Sequence, residues 1–195
     1  FLDKWIADLE TSQQPDGQLP AVTPDLHTTR LLSDPVWGSA LHRMLLGHLL
    51  HYGDTRLTLR APPTLRRWAD FQLSCTDEDG IISGSPISYG HDWLALEQTP
   101  PTIHHTAAVI DCLLALAQLE EATGDVDAAA RRRASAQDLR SAAHRWFFDA
   151  STGAFGNGSQ GSYAVAIETG ILTGTEAMDA GERLVTLIRE RGNRV

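Results

Sequence analysis

The chain is poor in cysteine: Cys75 and Cys112 are the only two among 195 residues. They are far apart and no Cys-x-x-Cys pair exists, which excludes a disulfide framework and a thiolate zinc site. A reducing compartment is allowed, and a cytoplasmic setting is favoured over a secreted one. Positive charge is scarce as well. The formal net charge is −9, which argues against a nucleic-acid partner. The single basic run, Arg131-Arg132-Arg133, lies among alanines and reads as the solvated face of a helix. No apolar run approaches the ~20 residues that span a bilayer, so no membrane partner is expected, and no signal peptide opens the chain. No Gly-rich phosphate loop, nucleophile elbow or cofactor motif occurs, and no cofactor is implied.

What is present is helical periodicity almost throughout. Leu2, Trp5, Ile6 and Leu9 make one apolar stripe, which Gln14-Pro15-Asp16-Gly17 ends. Asp34-Pro35 is an N-cap followed by Pro at the first helical position. The helix it starts is expected to bury Trp37, Leu41, Met44, Leu45, His48 and Tyr52. Gly53 stops it in the left-handed cap position, and Asp54 caps its successor. Pro62-Pro63 interrupts that successor, and Leu65, Trp68, Ala69 and Gln72 resume a helical face. A long Gly-, Ser- and Pro-rich loop runs from Thr76 to Pro101. Helix Ile103–Thr123 follows, then Gly124-Asp125 repeats the earlier stop-and-restart device. The next helix carries Leu139, Ala142, Ala143, Trp146 and Phe147. Asp149 to Gln160 is a Gly-rich turn region with room for a short β-hairpin. One further helix carries Tyr163, Ile167 and Ile171, and a last one carries Ala177, Leu184, Val185 and Ile188. The chain is therefore all-α, with about seven helices in antiparallel hairpins. A bundle, a superhelical repeat and an arc of an α/α toroid all fit this spacing. The whole chain, 1–195, reads as a single domain.

The stretch Tyr89-Gly90-His91-Asp92-Trp93-Leu94-Ala95, closed by Thr99-Pro100-Pro101, sets a carboxylate beside an indole in the long loop. A carboxylate accepts hydrogen bonds from hydroxyls, and an indole covers the C–H face of a pyranose. The pair points to a neutral, hydroxyl-rich ligand, while a capped helix start with Trp93 as core filler is the plainer alternative. His91 is placed to titrate near neutral pH and to bond a hydroxyl. His104-His105 point to different sides of a helix and do not share a metal, so they read as exposed or capping imidazoles. His42, His48 and His51 share a helix, but no nearby carboxylate cluster completes a coordination set. No metal site is expected. Asp77-Glu78-Asp79-Gly80 lacks the repeated oxygen positions of a calcium loop and reads as an acidic turn. Glu97 and Glu168 are further carboxylates within reach of a cleft. Burial in the apolar helix around Glu168 is expected to raise its pKa.

Several motifs occur together and in order: Gln14-Pro15-Asp16-Gly17-Gln18-Leu19-Pro20, Pro35-Val36-Trp37-Gly38-Ser39-Ala40 and Tyr52-Gly53-Asp54. Downstream come Asp92-Trp93-Leu94-Ala95 with Thr99-Pro100, Asp149-Ala150-Ser151-Thr152-Gly153, and Gly158-Ser159-Gln160 running into Tyr163-Ala164-Val165-Ala166-Ile167. The set resembles the catalytic domain of bacterial α-L-rhamnosidases, glycoside hydrolase family 78. The resemblance implies part of a six-hairpin α/α toroid that hydrolyses terminal α-L-rhamnosides with inversion. Inversion uses two carboxyl groups about 6.5–9.5 Å apart, one acid and one base. On the resemblance the acid lies in an Arg-Asp-Glu-Arg type segment and the base in a Trp-Glu-Arg type segment, and neither occurs here. No catalytic residue is therefore assigned within the chain. It reads instead as the sugar-binding wall, with Asp92 as hydroxyl acceptor, Trp37 as hydrophobic platform, and Trp93 and His91 beside them. The chain departs from the family pattern at His91, at Ser39 where Asp is frequent, and at Met44-Leu45-Leu46-Gly47. Its start, in helical register and without a cap, reads as a cut through a larger protein. Its expected partners are then a rhamnoside substrate and the rest of the catalytic domain, with self-association of the chain alone. A non-catalytic carbohydrate-binding module and a helical scaffold remain the alternatives.

Overall fold

The computed structural model describes residues 1–24, 33–53, 55–60, 62–83 and 95–194, without the side chains of 58, 60 and 62. Eight helices lie among the described residues. They are α1 (Leu2–Ser12), α2 (Pro35–Tyr52), α3 (Thr55–Arg60), α4 (Pro62–Ser74), α5 (Pro101–Ala122), α6 (Val126–Phe147), α7 (Gln160–Glu168) and α8 (Gly174–Glu190). The expected hairpin is there, as β1 (Phe148–Asp149) paired antiparallel with β2 (Ala154–Phe155).

Local chemistry sets these boundaries. The Asp34 carboxylate accepts the Val36 and Trp37 amides at 2.7 and 3.2 Å, with Pro35 behind it, which satisfies the first orphan N–H groups of α2. Gly53 ends α2 at φ +63°, the left-handed cap that its sequence position implied. Asp125 caps α6 through the Ala128 amide at 3.3 Å, whereas Asp54 lies outside the described residues. The Gln14–Gly17 turn is fastened to α4: Gln13 Nε2 donates to the carbonyls of Gly17 and Thr64, both at 2.9 Å.

α5 is the central helix, buried along its whole length between α2, α4, α6 and α7. By length and composition it is apolar enough to cross a bilayer, contrary to the expectation that no such run exists. Two-thirds of that span (67%) is buried inside the protein, as for the middle helix of a core.

Three cross-links show how the layers are arranged. Arg43 of α2, Asp111 of α5 and Glu168 of α7 converge, each at about the third turn of its helix. Thr99 Oγ1 and Ser159 Oγ, just before the starts of α5 and α7, lie 2.9 Å apart. So α2, α5 and α7 run parallel with their N-termini side by side, and α4, α6 and α8 pack behind them as returning helices. The connections 13–34, 75–100 and 148–159 all lead into inner-helix N-termini. The turns at Gly53, Gly124 and Gly170 lie at the other end. This is an arc of antiparallel hairpins with one long-loop rim and one short-turn rim.

The buried face of α2 is corrected. Leu41, His42 and Leu45 are buried, while Trp37, Met44 and Tyr52 are exposed. α2 is apolar on most sides, so spacing alone fits two stripes. Gly38 decides between them: a Cβ there would lie 2.4 Å from Trp68 Cζ2, so the Gly38 face is the one pressed onto α4. Trp146 and Val185, placed inward by spacing, are exposed on the outer layer. There alanine positions such as Ala142, Ala143 and Ala180 supply a narrower contact stripe.

Candidate functional site

Trp37 sits in the first turn of α2, at the long-loop rim, with its side chain 47% exposed. It is the one sequence-predicted site residue within the described part. Asp92, Trp93 and His91 lie outside the described residues. The chain resumes at Ala95, and residues 95–100 belong to the same rim. Asn157 Nδ2 donates to the Gln98 carbonyl at 2.9 Å, and Arg191 Nη2 meets Glu97 Oε2 at 2.5 Å.

A cleft of about 220 Å3 opens between the three inner helices. Val36, Ser39 and Arg43 line it from α2, His104 and Asp111 from α5, and Glu168 from α7. Asp111 Oδ2 accepts from Arg43 Nε at 2.8 Å and lies 3.0 Å from Nε2 of the fully buried His42. Arg43 Nη2 reaches Glu168 Oε1 at 3.6 Å. The result is a polar floor that locks the register of α2, α5 and α7, and so the height at which Trp37 stands.

Burial pushes the Asp111 carboxyl up, but the His42 hydrogen bond and the His42 and Arg43 charges outweigh it, and the net shift is downward. A carboxyl with a depressed folded pKa contributes stability above its unfolded value, about 3.9. That contribution is lost as pH falls through the folded value. Asp111→Asn is therefore expected to flatten the acid limb of the stability–pH curve, read as urea midpoints over a pH series. Parallel acid limbs in variant and parent would refute the assignment.

Sequence reading missed this floor. It found no carboxylate near His42, because Asp111 arrives from the neighbouring helix α5, 69 residues along the chain. The Glu168 expectation is overturned: its side chain is 63% exposed, because the inner face of α7 looks onto the hollow rather than into the core. His104 and His105 do diverge, but His105 is buried at 5% exposure rather than exposed. Asp77 closes the acidic turn by accepting the amides of Asp79 and Ile81 at 3.0 and 3.1 Å. Arg132 and Arg133 pair with Asp70 and Glu121, as befits a solvated helix face. Among the described residues no cluster of His, Cys, Asp or Glu is placed to hold a metal.

A sequence model of the bacterial alpha-L-rhamnosidase six-hairpin glycosidase domain matches residues 1–195. The chain belongs to that family. A search of curated proteins finds no match, whereas solved rhamnosidases share the fold. The Streptomyces avermitilis alpha-L-rhamnosidase complexed with L-rhamnose is 23% identical, with a TM-score of 0.82 over 98% of this chain. The native Aspergillus terreus alpha-L-rhamnosidase is 18% identical, with a TM-score of 0.89 over 100%. The Klebsiella oxytoca rhamnosidase with rhamnose bound is 20% identical, with a TM-score of 0.72 over 89%. This chain spans 18%, 23% and 35% of those three chains. The arc of inner and outer helices in this rhamnosidase-family chain is thus part of an all-α six-hairpin toroid.

Proposed function

We propose that this chain forms the sugar-binding wall of an inverting α-L-rhamnosidase. Trp37 covers the apolar face of the deoxyhexose, and Asp92 accepts its hydroxyls. Trp93 and His91 flank Asp92, all within four residues along the chain of the rim segment that begins at Ala95. The observation that carries the reading is the half-exposed Trp37 in the first turn of α2, at the long-loop rim to which residues 95–100 also belong. A large aromatic left open at the rim suits the apolar face of a ligand that also carries hydroxyls. Rhamnose, with its C6 methyl, is such a ligand, and rhamnose is bound in two of the similar structures.

Inversion needs an acid and a base on opposite faces of the sugar. Those carboxyl groups are assigned to segments of the catalytic domain other than residues 1–195, since neither of the two motif types that the resemblance implies for them occurs in this sequence. The chain is expected to bind rhamnosides without turning them over. L-rhamnose should perturb indole fluorescence, and Asp92→Ala should weaken binding about tenfold or more, the cost of a hydrogen bond to a charged acceptor. Trp37→Ala should weaken it as well. Hydrolysis of an aryl rhamnoside by the 195-residue chain, abolished by Asp92→Ala, would overturn the division of labour. Rhamnose binding indifferent to both substitutions would overturn the site.

A further inference from the structure

A second cleft, of about 480 Å3, opens on the outer layer between α8, the start of α7 and the turn after β2. Trp37, by contrast, stands on the inner helix α2. The floor of this cleft is Tyr163, whose side chain is 97% buried by its 3% exposure, and whose hydroxyl reaches the Gly158 corner. The ring is buried, while the hydroxyl has no hydrogen-bond partner among the described residues and opens into the cleft rather than being a buried atom. Its wall is a stripe along α8 at helical spacing: Asp179, Glu182, Arg183 and Thr186.

The donor and acceptor inventory narrows what fits. The Asp179 and Glu182 carboxylates are acceptors with no protein partner among the described residues. Thr186 Oγ1 spends its proton on the Glu182 carbonyl at 2.9 Å, which leaves it an acceptor. Arg183 Nη2 donates to the Thr152 carbonyl at 2.6 Å, which orients the guanidinium and leaves its other N–H groups available. Tyr163 can donate or accept. Leu187 adds one apolar surface. A monovalent anion would meet two carboxylates, and a simple cation would meet the arginine. A neutral ligand that carries hydroxyls, each both donor and acceptor, together with a C–H face, satisfies every group.

We propose that this cleft is a second saccharide site, distinct from the Trp37 rim. Its volume falls in the range of small-molecule sites, about 300–1,000 Å3, and accommodates one or two sugar rings. Tyr163 anchors the ligand from below, Asp179 and Glu182 accept its hydroxyl protons, and Arg183 donates to its ring or glycosidic oxygens. The site holds a sugar unit without cleaving it, and so keeps a polysaccharide or glycoside near the rim.

The test uses the full 195-residue chain, isotopically labelled, titrated separately with L-rhamnose, D-glucose and D-galactose while amide shifts are followed. At least one sugar is expected to move the amides of Tyr163, Asp179, Glu182 and Arg183. Tyr163→Phe, which keeps the ring and its packing, should weaken that binding about tenfold. Asp179→Asn, on the exposed face of α8, should do the same, and the thermal unfolding of both variants should stay close to that of the parent. Titration of this cleft should persist in Trp37→Ala, so loss of rhamnose binding at the rim and loss of sugar binding here are separately readable. Absence of shifts with all three sugars, shifts that Tyr163→Phe and Asp179→Asn leave unchanged, or a response to spermidine alone would overturn the proposal.

Discussion

Arg66→Ala is expected to destabilise the chain by about 3 kcal/mol or more, among the largest effects of any single polar substitution here. Glu120 of α5 is a carboxylate with no exposure at all, set in the central helix. Arg66 Nε meets its Oε1 at 2.7 Å, and Arg66 Nη2 meets Asp125 Oδ2 at 2.7 Å. The nearest other cation is Arg132 Nε, at 4.0 Å. The hydrogen bond to Glu120, and the charges of Glu120 and Asp125, hold the Arg66 guanidinium above its ordinary pKa against the opposing effect of burial. Removing the arginine leaves a desolvated charge with one distant partner, and it also strips a cross-link from the α5–α6 turn. The double variant Arg66→Met with Glu120→Leu should cost less than the single one, because no charge is then stranded. Urea unfolding decides the matter. A loss below about 1 kcal/mol for Arg66→Ala would place the pair with ordinary surface ion pairs and refute its buried character.

Gly38→Ala is expected to cost about 2–3 kcal/mol, an unusual penalty for one methyl group on a helix, where alanine is intrinsically the better former. The added carbon would stand 2.4 Å from Trp68 Cζ2 and 2.9 Å from Cε2, and Trp68 is fully buried with nowhere to retreat. Either α2 lifts off α4 or the indole leaves its position. Lifting α2 also moves Trp37, the next residue along, so rhamnose affinity should fall together with stability. Trp68→Phe removes the benzo ring that obstructs the methyl and an indole N–H that is buried without a partner among the described residues. The penalty of Gly38→Ala should therefore shrink by more than half in that background, as a double-mutant cycle would show. An additive cycle would mean that the two residues do not share the contact.

The legible parts of this molecule are those written in local chemistry. Asp34-Pro35, Gly53, Pro62-Pro63 and Gly124 mark helix ends by capping and by backbone geometry, and each end falls where those residues put it. The face of α4 was also readable, since Leu65, Trp68 and Ala69 form one stripe, and α5 is apolar and buried on nearly every side. The face of α2 was not, because hydrophobic residues surround that helix. What orients it is the absence of a side chain at Gly38, which means something only once Trp68 is opposite. The polar floor was hidden for a related reason. His42, Arg43, Asp111 and Glu168 come from three helices, and no spacing rule links residues that meet only when the inner layer assembles. The Tyr163 cleft likewise needs α8 to return past α7. Trp37 was found by motif, yet spacing alone assigned it to the core.

The separation of the two rims has a consequence for how such a protein can be altered. At the short-turn rim, glycines at 53, 124 and 170 hold left-handed conformations (φ +63°, +85° and +69°) that other residues adopt at a cost, so little variation is tolerated there. At the opposite rim Gly17, Gly80, Gly153, Gly156 and Gly158 hold positive φ as well, and a Cβ at Gly17 or Gly156 would stand 2.3 Å from the Arg67 carbonyl oxygen or 2.4 Å from Ile103 Cδ1. Randomised libraries on that side must keep these glycines and vary the residues between them, so that the hairpin stack beneath is inherited unchanged.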